Sequence, residues 1–259
     1  MKNILLILFS IIMIISCSAE VPSVERVVTR DGLAYAYLET TPYTGKVVSF
    51  YPSGSLESTE TYKNGIREGL VETFYANGQL KLTGTYIDEK RDGLWEEYQS
   101  NGKPILKKTY KNDELNGLYE EYYENGQLEY KGTLKDGKKD GPYEEYYENG
   151  QLKYRGTFKD SKQGLWEEYY EDGQLRNRGT YINDKKDGLW VEYFENGTLQ
   201  KKGFFIDGKR DGLYETYYEN EQLELTSTYK NGKLDGPWVE YFENGTLQKK
   251  GFFIDGKRD

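Results

Sequence analysis

From Gly45 onward, apolar and polar residues alternate with a period of two, and clusters of Gly, Asn, Asp and Lys interrupt the alternation at regular intervals. Alternation of this kind predicts half-buried strands separated by turns. The glycines that open successive aromatic strands are Gly45, Gly69, Gly93, Gly117, Gly141, Gly164, Gly188, Gly212 and Gly236. They lie 24 residues apart, except for a 23-residue step between Gly141 and Gly164, where the turn Lys159-Asp160-Ser161-Lys162-Gln163 is one residue short. Trp190–Asp211 and Trp238–Asp259 are identical over 22 residues, the mark of a recent duplication. No segment carries a helical period. The sequence therefore predicts an all-β fold: an elongated single-layer antiparallel meander of about nine 24-residue hairpins, with about 18 strands and a length of roughly 85 Å at about 4.8 Å per strand.

Within a unit, with the anchor glycine as position 0, positions 8 and 9 are usually Asn-Gly, as at Asn125-Gly126 and Asn149-Gly150. Asn-Gly tolerates the two positive φ angles of a two-residue type I′ turn, and that turn is expected here. Residues whose positions sum to 17 then face each other. Position 6 (Tyr123, Tyr147, Phe194) is expected to meet the Leu at position 11, and position 2 (Trp166, Trp190) to lie over the Gly at position 15 (Gly179, Gly203). Position 17 (Tyr86, Phe158, Phe205, Phe253) shares that aromatic face. On the opposite face the register pairs Glu96 with Lys107, Glu120 with Lys131, Glu144 with Arg155 and Glu167 with Arg178. The position 5 rings (such as Tyr122, Tyr146 and Tyr169) are expected to stack along the array there.

Composition changes the picture by exclusion. The hydrophobic fraction is 36%, and exchanging the 26 Tyr for the 29 Gly keeps it near 37%, against about 45–50% in globular chains. That is too lean for a thick double-layered core, while 15% aromatic is too rich for disorder. With no histidine and one cysteine, there is no Ser-His-Asp or Cys-His machinery, no His-containing zinc site and no disulfide framework. The net charge of −9 argues against nucleic acid as a partner and against a polybasic grip on anionic lipid.

The N-terminus reads as an address. Lys2 precedes a twelve-residue run, Ile4–Ile15, that is apolar except for Ser10; this suits a signal-peptide core and is too short for a membrane span, which takes about 20 residues. The run ends Ile14-Ile15-Ser16-Cys17, which resembles the lipobox of bacterial lipoproteins. The resemblance implies cleavage before Cys17, a diacylglycerol on its sulfur, and a lipid-anchored protein of the bacterial cell envelope. Ser18, rather than Asp, favours the outer membrane where two membranes exist. The expected organisation is a signal peptide over residues 1–16, a lipidated Cys and tether over 17–30, an N-terminal cap over 31–44, and repeats over 45–259.

The pattern Gly-x-Trp/Tyr-x-x-Tyr-x-x-Asn-Gly, with a later Gly and aromatic, resembles the MORN repeat. Its 24-residue spacing, with the opening Asp31-Gly32-Leu33-Ala34-Tyr35 and Pro42-Tyr43-Thr44-Gly45, is similar to the variant found in YwqK-type antitoxins. The resemblance implies a non-enzymatic repeat module that binds, either as a scaffold for protein or cell-surface contact or as an antitoxin or immunity-like protein against a toxin partner. MORN repeats also occur beside lipid-kinase and methyltransferase domains, but this sequence has no Gly-rich phosphate loop and no non-repeat segment large enough for a catalytic fold.

The candidate binding groove consists of the position 4 carboxylates Glu121, Glu145, Glu168 and Glu192 with the rings of Trp166, Trp190, Tyr147 and Phe194. Such a groove suits a basic peptide, a partner strand or a sugar; the alternative, which the pattern favours, is a repeated surface Glu that packs its stem beside the aromatics. A row of identical carboxylates one hairpin apart lacks the unequal environments that separate a general acid from a base. No catalytic residue, metal or cofactor is expected: turns such as Asp136-Gly137-Lys138-Lys139-Asp140 place a Lys where a calcium ligand would stand. The expected partners are the membrane, through the lipid, and an unidentified protein or surface ligand. The strand around Thr246–Ile254 is expected to present a free edge, suited to self-association or strand addition.

Overall fold

The computed structural model describes residues 23–259. Its 23 strands form one sheet of 21 strands and one small sheet of two, with no helix among the described residues. The repeat strands are all present and pair antiparallel in chain order from Gly45–Phe50 to Leu247–Ile254. One of them, in the third repeat, is divided at Asp92 into Lys90–Arg91 and Gly93–Tyr98. The array is one layer thick, so its core is a row of side chains on one face rather than a space between layers.

The two long edges of the sheet use different turns, and the assignment differs from the sequence expectation. At the Asn-Gly end, Gly126 N donates to Tyr123 O (2.8 Å) and Tyr123 N to Gln127 O (2.9 Å). Only Gly126 has positive φ (+86°); Asn125 does not. This is a type I turn closed by a left-handed glycine, the longer of the common hairpin loops. Register next to the loop is Tyr122 with Leu128, and one step later Glu121 with Tyr130. Glu129 is therefore the extra residue of a bulge, which restores the sum of 17 for the rest of the hairpin. The type I′ chemistry sits instead at the connections between hairpins. Asp136 and Gly137 have φ of +49° and +74° between the paired Lys135 and Lys138.

The longer loop redirects position 6. Rather than meeting Leu at position 11, Tyr123 reaches across to the next hairpin, its hydroxyl donating to Tyr146 O at 2.8 Å. Tyr51, Tyr75, Tyr147, Tyr170 and Tyr218 do the same. Asn125 Nδ2 donates to Glu148 O (2.8 Å) while its Oδ1 accepts from Gln127 N (2.8 Å). The Tyr-x-Asn-Gly motif thus laces neighbouring turns together, each neutral bond contributing about 0.5–1.5 kcal/mol.

The N-terminal cap is longer than the sequence implied. A tether reaching residue 30 does not fit. Strand β1 (Ser23–Val24) pairs parallel with β4 (Gly45–Phe50), and β2 (Val27–Arg30) forms a hairpin with β3 (Leu33–Ala36). This hairpin closes over the first connecting turn: Ala34 N donates to Gly65 O (2.8 Å) and Gly65 N to Tyr43 O (2.7 Å). A side chain at Gly65 would stand 2.9 Å from Leu33 Cβ. At the other end, Leu247–Ile254 is not wholly bare, because Lys257–Arg258 pairs with its Phe253 and Ile254.

On the face of positions 3, 5 and 14, the expected backbone register holds, including Glu144 opposite Arg155 and Glu167 opposite Arg178. The ion pairs follow it only in part. Lys107 meets Glu96 at 3.0 Å, but Arg155 turns to Glu167 of the next hairpin, as Lys202 turns to Glu215 (2.7 Å). Position 5 hydroxyls bond the position 3 carboxylates, as Tyr122 with Glu120 (2.6 Å) and Tyr146 with Glu144 (2.8 Å), so they act as hydrogen-bond donors rather than as stacked rings.

Candidate functional site

The opposite face gathers positions 2, 4, 13 and 17, because Tyr119 stands opposite Gly132 and Glu121 opposite Tyr130. Ring contacts run unbroken along it, all edge-to-face: Tyr119–Tyr130 5.2 Å, Tyr130–Tyr143 5.1 Å, Tyr143–Phe158 5.3 Å, Phe158–Trp166 5.2 Å, Trp166–Tyr181 6.0 Å and Tyr181–Trp190 5.0 Å. Each such pair adds about 0.5–1.5 kcal/mol beyond area burial. In a single-layer sheet this run does the work of a core.

The position 15 glycines make room for it. A Cβ at Gly179 would fall 2.2 Å from Trp190, and one at Gly156 2.3 Å from Trp166. Each indole therefore lies on the glycine of the preceding hairpin, not on that of its own, as the sequence had suggested. Trp166 and Trp190 are consequently 6% and 5% exposed. The Trp190 Nε1 donates to Thr180 O at 3.0 Å, whereas the buried Trp95 and Trp166 indole nitrogens have no hydrogen-bond partner among the described residues.

Cations cover the ring faces. Lys139 lies 4.4 Å from the Tyr143 centroid, Lys162 4.6 Å from Trp166, Lys186 4.1 Å from Trp190, and Arg210 3.9 Å from Tyr214. They come from the Lys-Lys-Asp, Ser-Lys-Gln and Lys-Arg-Asp segments ahead of each anchor glycine. Loss of water contact pulls the ammonium pKa of Lys139 and Lys186 down, with the nearby Glu145 and Glu192 opposing it.

The predicted carboxylates are each closed by donors of their own. Glu145 accepts from Lys153 (2.7 Å) and Tyr143 (2.7 Å); burial pushes its pKa up, but these two donors outweigh burial and leave it below the usual value. Glu168 accepts from Arg176 (2.7 Å), and Glu192 pairs with Lys201 at 2.7 Å. Glu121 accepts from Tyr119 (3.1 Å), whose pKa is pushed up to about 12 by burial and then by Glu121. Open hollows follow the row, one of about 420 Å³ at Tyr119, Glu121, Tyr130 and Lys139, another of about 260 Å³ at Lys186, Trp190 and Arg210.

The structure thus brings Glu121, Glu145, Glu168, Glu192, Trp166 and Trp190 onto one face, with the two indoles as its floor. Tyr147 and Phe194 sit apart at the turn edge: Tyr147 bonds Tyr169 O (2.8 Å), and Phe194 N closes its own loop on Thr198 O (2.8 Å). Sequence reasoning missed the row Lys139, Lys162, Lys186 and Arg210. A Lys or Arg two residues before most anchor glycines was the available signal, read there as loop chemistry. Cys17 and the apolar run Ile4–Ile15 lie outside the described residues.

A single-layer array of hairpins with one aromatic spine is a repeat module. The MORN repeat variant matches residues 43–64, 67–88, 91–112, 115–136, 139–160, 162–183, 186–207, 210–231 and 234–255, and the chain belongs to that family. No curated protein matches it. Among solved structures it is similar to a GtfA/B complex bound to UDP and GlcNAc (TM-score 0.20, 10% identity, 45% of this chain and 22% of that one). It is also similar to a TcdB2-TccC3-Cdc42 structure (TM-score 0.23, 12% identity, 87% of this chain and 15% of that one). The chain spans less than a quarter of the length of either, and the likenesses are too weak to carry functional weight.

Proposed function

We propose that the chain is a non-enzymatic binding scaffold held at the bacterial cell envelope by a lipid on Cys17, presenting its aromatic–cation face to a protein or cell-surface partner. The observation that supports this reading best is the continuous ring run, which fixes charged groups at one-hairpin intervals on an open face. Contacts repeated over many units build affinity from individually weak terms. The anchoring rests on the apolar run Ile4–Ile15 followed by Ser16-Cys17, and Ser18 directs it to the outer membrane of a two-membrane cell.

Affinity capture with the full chain from detergent-solubilised envelopes tests the scaffold. A specific partner lost on substituting ring-face residues supports it, and recovery of none from envelope or host-cell extracts counts against it. Cys17→Ala should abolish palmitate labelling; retained label refutes the anchor. The similarity of the Asp31–Tyr35 and Pro42–Gly45 segments to YwqK-type antitoxins favours a second reading, an envelope immunity protein. Rescue of growth from a co-encoded toxin would select it.

A further inference from the structure

The three carboxylates Glu145, Glu168 and Glu192 are each matched by their own cation, Lys153, Arg176 and Lys201. That leaves Lys139, Lys162, Lys186 and Arg210 as four successive cations on the same face with no carboxylate ion pair among the described residues. The N-terminal members of the same row differ, since Arg67 and Arg91 are bound to Glu89 and Asp113 at 2.9 Å. In a chain of net charge −9, the face from Lys139 to Arg210 therefore carries a local positive excess, bounded at its Lys139 end by Glu121 and Glu129, which share the hollow there. The rings beneath hold the four cations in place, so an incoming anion finds them already ordered. The indoles are sealed and present no open face for a sugar to stack on.

We propose that this stretch, from Lys139 to Arg210, binds an acidic peptide segment that lies along the array, across the strands, with a carboxylate opposite each cation. The proposal deepens the scaffold reading and rests on it. Spacing selects the ligand conformation. Neighbouring hairpins stand about 9–10 Å apart, two strand spacings of about 4.8 Å. A polyproline II chain has three residues per turn and rises about 3.1 Å per residue, so every third side chain falls on one side, about 9.3 Å apart. A β-strand covers a similar distance in three residues but turns odd-numbered neighbours to opposite faces. The recognised segment thus carries Asp or Glu at every third position over about ten residues. Each charge-assisted contact replaces water at a cation that burial has already partly stripped.

The test titrates the full chain in detergent with two fluorescent peptides of equal composition. One is a Glu-Pro-Pro repeat with Glu at every third position; the other has its Glu residues at every second position. Tighter binding of the first, by tenfold or more, with affinity falling steeply as salt is raised, is the expected result; equal binding of both overturns the spacing argument and with it the proposal. The triple variant K139Q/K162Q/K186Q should bind the first peptide at least tenfold more weakly, while K135Q/K159Q/K230Q, which removes the same charge from exposed positions on the other face, should bind it unchanged. Equal losses from both triples would show general electrostatics and overturn the site. Binding to phosphatidylglycerol vesicles or polygalacturonate without binding to either peptide overturns the peptide assignment. If no probe binds while envelope capture still yields a partner lost on ring-face substitution, this inference fails and the scaffold reading stands.

Discussion

Gly179→Ala is the sharpest probe of how this single-layer fold holds itself together. Gly179 has an ordinary strand φ, so alanine meets no backbone strain there, and only the space above it matters. Its new Cβ would lie 2.2 Å from Trp190 Cδ2 and Cε2. The indole must retreat by over an ångström while Tyr181 packs edge-on at 5.0 Å and Lys186 caps it at 4.1 Å. Overpacking of this kind costs about 1–3 kcal/mol, and loss of the Trp190–Thr180 bond adds about 1. Reduced freedom of the unfolded chain offsets about 0.4–1, leaving a net destabilisation of about 1–3.6 kcal/mol. Gly251→Ala is the matched control, because its Cβ would meet Arg258 and Trp238 only at 3.7 and 3.9 Å, and it should be neutral or slightly stabilising. The array itself offers a precedent. The glycine is replaced at three places, where Glu60 faces Val71, Lys108 faces Tyr119 and Ser227 faces Trp238; the last two show that a side chain is accommodated where the ring does not lie on the backbone as Trp190 does. Urea unfolding, with hydrogen exchange resolving residues 175–193, reads the effect, and G179A/W190V should recover at least about 1 kcal/mol in a double-mutant cycle. If G179A and G251A are equally stable, the glycines are not there to seat the indoles.

Three further outcomes follow from particular bonds. Tyr147→Phe removes the donor to Tyr169 O and should cost about 0.5–1.5 kcal/mol by thermal melting, a loss the array already accepts at Phe194 and Phe242. Trp190→Phe should cost about 1 kcal/mol more than Trp166→Phe, since only Trp190 gives up an indole hydrogen bond; equal losses would refute the bond's role. Tyr62, Tyr122 and Tyr143 have pKa values raised by burial and by bonded Glu60, Glu120 and Glu145, and Tyr119 and Tyr146 are raised to about 12 by burial and by Glu121 and Glu144. A raised tyrosine pKa contributes stability that is whole below the unfolded value of about 10 and is lost as pH rises through the folded value. Stability should therefore fall between about pH 10 and 12; residue-resolved NMR should show Tyr119, Tyr122 and Tyr146 ionising only as the chain unfolds, and their phenolates appearing near pH 10 in a still folded chain would contradict it.

The fold was legible because the 24-residue period, the strand alternation and the turn residues all describe one hairpin. Its finer geometry was not, because Asn-Gly satisfies two different loops. A two-residue type I′ turn and a longer loop closed by Gly126 both fit the dipeptide, and the choice falls to Tyr123, whose hydroxyl reaches a carbonyl 23 residues away. Local sequence does not display a bond to the next repeat. The same blindness affected the site. Glu145 and Trp190 stand out as strand residues of fixed position, so their common face could be read from alternation alone. Lys139, Lys186 and Arg210 lie next to turns, where a cation ordinarily means solvation, and only the register across Leu134 and Lys139 or Phe205 and Arg210 turns them back over the rings.

That register gives the array its division of labour. The anchor glycine, with φ of +108° at Gly141, creates the irregularity that lets the strand start before the rings and resume among them. Residues ahead of it cap the aromatic spine, and residues after it supply the next ring and carboxylate. A unit therefore cannot complete its own face: the Trp190 indole needs Gly179 behind it, Lys186 above it and Tyr181 beside it, all from the hairpin before or the connection into its own. Unit number can change by duplication, as the identical Trp190–Asp211 and Trp238–Asp259 segments indicate, because most junctions carry the same interlocking set; the two entering Gly117 and Gly236 have Leu115 and Leu234 in place of the cation and Lys108 and Ser227 in place of the glycine. A binding row assembled from such junctions lengthens by one charge with each hairpin added. Selection on repeat number and selection on the reach of the bound segment would then act on the same variable.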